Sequence, residues 1–121
     1  VSETWIVLAW AALALVHLMP ALATFSPALR RRLYGIESDG ALRVMLTHRG
    51  VLFAAVLVAC VYAATAPEAR QLAALIVAIS LIGFLIVYAA SGAPKGPLRS
   101  VALVDAVALI PLALVCADAW F

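Results

Sequence analysis

Three ionisable side chains, His17, His48 and Asp105, each lie inside a long apolar run of this 121-residue chain, and Arg49 follows His48 directly. An ionisable group at the centre of a membrane helix costs about 2.5–3.5 kcal/mol on insertion scales, so each needs a reason to be there. Three chemistries suit the set. Two histidines and a carboxylate form a ligand set for zinc or non-haem iron. Histidine titrates near neutral pH and an adjacent aspartate favours its charged form, which suits a polar pocket that binds a ligand or relays protons. A carboxylate beside a guanidinium or a histidine neutralises buried charge and pins helix register. The residue types alone leave all three open.

The elements that must position them are four apolar stretches, Trp5–Phe25, Ala41–Ala66, Leu72–Ser91 and Leu98–Phe121. About 20 apolar helical residues cross a hydrocarbon core of about 30 Å. A hydrophobic content of 68% and a mean hydropathy of +1.18 agree, since soluble domains are about half apolar. The reading is an all-α integral membrane protein, a single four-helix up-down bundle. The segments between the spans are too short for a soluble domain, so catalysis by a separate module within these residues is not expected. The first span is too long for the apolar region of a cleaved signal and lacks a basic flank, so it reads as a retained helix.

Seven of the eight cations fall towards one face: Arg30, Arg31, Arg32, Arg43, Arg49, Lys95 and Arg99, with only Arg70 at the other. The positive-inside bias makes the first face cytoplasmic and puts both termini outside, in the periplasm of a bacterial inner membrane. Trp5, Trp10 and Trp120 lie towards the outer end and suit an interfacial aromatic belt, with Tyr62 and Tyr88 as belt or packing residues. The net charge of +2 is explained by topology and predicts no nucleic-acid partner. Arg30–Arg32 are placed to meet anionic headgroups of the bilayer.

Counting residues gives a shared depth. His17 lies eight residues before Phe25, His48 seven after Ala41 and Asp105 seven after Leu98. At the helical rise each is about 10–12 Å below the cytoplasmic helix ends. Arg49 belongs to this layer, and Thr47, Ser80 and Tyr88 are its secondary candidates. The layer is expected to line a pocket in which Arg49 serves an anionic ligand or acts as counter-ion to Asp105. A metal would use His17, His48 and Asp105. A haem between the two histidines would need its helices to splay, because packed helices lie only about 8–10 Å apart.

The connections read as short. Ser26-Pro27 stops the first helix, and Pro27–Tyr34 begins a short interfacial helix that Gly35 breaks. Ser38-Asp39-Gly40 suits a turn, Ala66-Pro67-Glu68 a tight outer turn, and Ser91–Pro97 has too much Gly and Pro for regular structure. Ala55, Ala59 and Ala63 in the second span, and Ala102 and Ala106 in the fourth, form candidate close-packing rows. Pro20 and Pro111 sit within spans and free nearby carbonyls. Cys60 and Cys116 share a depth on the outer side, as a disulfide or as two inert buried thiols. Asp118 is expected to face water. No serine-hydrolase elbow, phosphate loop, dinucleotide fingerprint or zincin motif occurs.

His17-Leu18-Met19-Pro20, Leu33-Tyr34-Gly35-Ile36, His48-Arg49-Gly50-Val51-Leu52-Phe53 and Val104-Asp105-Ala106-Val107 resemble a family of small, uncharacterised bacterial four-helix membrane proteins. That family is often labelled phosphopantetheine adenylyltransferase. The label implies a soluble nucleotidyltransferase, which four apolar spans without a nucleotide motif contradict. In helix count and size the chain is also similar to the DoxX-like group. The resemblance implies a membrane bundle whose matching positions include His17, His48, Arg49 and Asp105, and it supplies no cofactor. The expected function is a cytoplasm-side pocket for a small amphipathic or redox-active ligand, such as a quinone or lipid headgroup, or a proton relay. The alternatives are an accessory subunit or assembly factor packed against a larger membrane complex, a metal or haem site, and a small oligomeric transporter.

Overall fold

The computed structural model describes residues 2–23, 25–34 and 40–121. All regular elements among them are helical: α1 (Glu3–Leu22), α2 (Pro27–Tyr34), α3 (Gly40–Thr65), a 3₁₀ turn (Pro67–Ala69), α4 (Arg70–Ala90) and α5 (Pro97–Trp120). Four of the helices are long and apolar enough to cross a membrane. These candidate spans run Glu3–Leu22, Gly40–Thr65, Pro67–Ala90 (which includes the 3₁₀ turn) and Pro97–Trp120.

Local chemistry accounts for the joints. The Leu29 amide donates to Ser26 Oγ at 3.1 Å, which caps α2 with Pro27 as its first residue. Pro67 opens the 3₁₀ turn. The link before α5 turns through Gly92 at φ 87° and Gly96 at φ 111°, where a side chain is disfavoured. The break expected at Gly35 and the Ser38-Asp39 part of the next turn lie outside the described residues.

α1 packs against α3 and α5, and α4 against the same two, so α1 and α4 sit diagonally opposite. The core runs along one stripe of α1, Ile6, Trp10, Leu13 and His17, which recurs at helical spacing. Small residues facing it, Ala63, Ala73, Ala74 and Ala108, let the backbones approach. The expected close-packing rows are only partly inward. Ala63 and Ala102 are buried, whereas Ala55 and Ala106 are exposed, because helices pack through one face and both rows run partly off it.

Trp10 is a second correction. It does not join an aromatic belt; it is fully buried at the heart of the bundle. Its indole N–H is the buried side-chain nitrogen or oxygen among the described residues that lacks a hydrogen-bond partner. Trp5 and Trp120 are exposed near the same end, as a belt requires.

Candidate functional site

His17 hangs from α1 on two hydrogen bonds. Its Nδ1 lies 2.8 Å from the Leu13 carbonyl and its Nε2 3.0 Å from Ser80 Oγ on α4. A carbonyl only accepts, so Nδ1 carries the hydrogen. In the neutral ring Nε2 then accepts from the Ser80 hydroxyl. The ring also meets Phe53 of α3, with centroids 5.7 Å apart. Both ring nitrogens are engaged, so metal ligation by His17 requires one of these bonds to break.

Beyond the ring is a cavity of about 20 Å³ lined by Val16, His17, Pro20, Arg49, Phe53, Val101 and Asp105. That is room for about one water molecule. Three helices thus bring His17, Arg49 and Asp105 together. The Arg49 guanidinium lies over the Phe53 ring at 4.7 Å and near the Phe84 ring at 5.9 Å, within cation–π range. Its charge also acts on the Asp105 carboxylate. Pro20 has no N–H to give the Val16 carbonyl, which leaves an acceptor among the lining residues.

His48 is not part of this cavity. It is exposed on α3 and borders a separate hollow with Gly40, Arg43, Val44 and Thr47. Adjacent helical residues point about 100° apart, so when Arg49 turns inward His48 turns away. Among the described residues no three His, Cys, Asp or Glu side chains gather closely enough to hold a metal ion. The ligand set His17, His48 and Asp105 is therefore not assembled, and His17 and His48 do not flank a common haem space. Of the secondary candidates, Ser80 is bonded to His17 and Thr47 accompanies His48. Tyr88 donates to the Pro94 carbonyl at 2.7 Å, tying α4 to the link that follows it.

A wider cleft of about 480 Å³ opens between α1 and α5 at the basic end, with Arg32 of α2 at its rim. Its apolar walls are Leu15, Val16, Met19, Val101 and Val104, with Pro20 and Pro97. Val16, Pro20, Val101 and Asp105 line both the cleft and the small cavity. The two spaces are neighbours across Asp105.

No family model, curated protein or solved structure matches this chain.

The residue that spacing did not single out is Arg70, at the opposite end. Although 4% exposed, it makes a bidentate pair with Glu3 of α1, at 2.5 Å and 3.2 Å. Its Nε donates to the Ala63 carbonyl at 2.8 Å and Nη2 to that of Ala64 at 3.1 Å, near the C-terminus of α3. Asp118 of α5 lies 3.5 Å from Nη1, so this carboxylate faces a cation as well as water. One side chain ties together all four long helices. A cation at the start of α4 opposes the helix dipole, and that mismatch is the signal in the sequence that Arg70 needs a dedicated partner.

Cys60 is buried and Cys116 partly buried, and both are free thiols. The disulfide considered from their shared depth is not formed.

Proposed function

We propose that this is a multi-pass protein of a bacterial inner membrane, with its basic end in the cytoplasm, that holds one small amphipathic molecule in the α1–α5 cleft. The observation that carries this reading is the meeting of an apolar cleft with a polar cavity at Asp105. Ligand sites are typically concave, about 300–1,000 Å³, mostly apolar, and oriented by a few polar groups. Here the apolar walls receive a tail or ring, while the polar groups that border the cleft, Arg32 and Ser100 at one side and Asp105 at the other, orient a polar head of the quinone or lipid kind. The resemblance to small bacterial four-helix membrane proteins is compatible with this reading and adds no activity to it.

Two features argue against a metal-centred reaction. Both nitrogens of His17 are already engaged, and His48 faces another side of α3. Direct proton relay through His17 has the same difficulty, since its ring bonds run to a carbonyl and a hydroxyl.

Native mass spectrometry of protein extracted gently from its own membrane tests the reading. One adduct of defined mass is expected, lost in Val104→Trp, which fills the cleft, and kept in Leu103→Trp, which places the same indole at an exposed position outside the cleft lining. A bare chain, or an adduct indifferent to Val104→Trp, overturns it. A bare chain bound to a larger complex would establish the accessory-subunit alternative instead.

A further inference from the structure

The charges around the cleft are unequal. Its lining and that of the adjoining cavity hold two cations, Arg32 and Arg49, against one carboxylate, Asp105. His17 adds no charge when its Nδ1–H serves Leu13 and its Nε2 accepts from Ser80. The sum is one positive charge. Position divides the three groups further: Arg49 and Asp105 share the small inner cavity, whereas Arg32 stands at the rim of the wide cleft with Ser100. A neutral head would leave the exposed rim cation Arg32 without a partner in the cleft, and a cationic head would add to the imbalance.

We infer that the occupant of the α1–α5 cleft is an anionic amphiphile, its tail against Leu15, Met19 and Val104 and its phosphate or carboxylate beside Arg32 and Ser100. This rests on the cleft being the binding site. Arginine suits either acid, because its planar fork matches both groups. Asp105, facing Arg49 across the inner cavity, then ends the site at its deep side rather than receiving the head.

Full-length protein in neutral detergent, titrated with dioleoylphosphatidylglycerol, dioleoylphosphatidylcholine or oleate and read by native mass spectrometry, tests this directly. The expected result is one bound phosphatidylglycerol or oleate, held at least about tenfold more tightly than phosphatidylcholine, the scale of one charge-assisted hydrogen bond. Preference for phosphatidylglycerol over oleate identifies a phosphate head, and the reverse a carboxylate. Arg32→Gln should remove the preference, while Arg43→Gln, a cation on α3 beside the His48 hollow, should leave it. Equal loss in the two variants would mean general attraction to a basic surface and overturns the inference. Equal affinity for all three lipids, all sensitive to Val104→Trp, would keep the cleft as the site and overturn its anionic occupant. Insensitivity of every lipid to Val104→Trp would overturn the cleft itself.

Discussion

Ser80 Oγ lies 3.0 Å from Nε2 of His17, a bond across the diagonal of a bundle whose α1 and α4 each pack mainly on α3 and α5. It makes the imidazole a cross-brace as well as part of a cavity wall. A double-mutant cycle with His17→Phe and Ser80→Ala, followed by unfolding in mixed micelles, should give a coupling of about 0.6 kcal/mol and below about 1.7, the range for hydrogen bonds between membrane helices. Additive single effects would deny the brace.

Arg70 predicts a larger effect. Arg70→Ala removes the donor to two carbonyls at the C-terminal end of α3, at about 1–3 kcal/mol for each acceptor left buried without a partner. Glu3→Gln should be milder, because that carboxylate is well exposed and exposed pairs contribute little. Denaturation midpoints of the two variants, compared with the parent, check the order.

His48 and Arg32 should separate in any ligand assay. His48→Ala should leave affinity for the cleft ligand within about twofold, since it borders another hollow. Arg32→Gln, at the rim of the cleft, should weaken it by about tenfold, the scale of one charge-assisted bond. Native mass spectrometry of the two variants decides; an equal loss would mean that His48 reaches the site.

Both thiols should be alkylated in full when the chain is denatured without reductant, giving a mass increase of two adducts. Before denaturation Cys116 should react ahead of Cys60, which is completely buried. A chain that takes up no alkylating agent until reduced would restore the disulfide.

Orientation is testable with the same chemistry. On a background lacking both cysteines, Glu68→Cys should react with an impermeant maleimide applied outside spheroplasts. Ala93→Cys should react only after the membrane is opened. The opposite pattern would invert the assignment made from the basic residues.

The contrast between depth and direction explains what the sequence made legible. Length and hydropathy located four helices, and counting along them put His17, His48 and Asp105 at one level. Which side of a helix faces inward is harder to read in an apolar bundle, because lipid-facing and core-facing residues are equally apolar. His48 and Arg49 illustrate this: one position of sequence, about 100° of rotation, divides an exposed side chain from one in the cavity. Trp10 shows the same contrast, its level suited to a belt and its direction towards the core. The Arg70 contacts were hidden differently. Glu3 and Asp118 stand 67 and 48 residues away from it, and no local pattern joins such partners.

The clamp has a mechanical meaning. Arg70 gathers four helices at one end, whereas the cleft lies between α1 and α5 towards the other. A bundle fastened in this way is a pair of tongs. Over the 20 residues of α1, about 30 Å of helix, a tilt of about 3° at the fastening moves the far tip by about 1.5 Å. A change of tilt at Arg70 would therefore be felt most in the width of a cleft that lies a full helix length away.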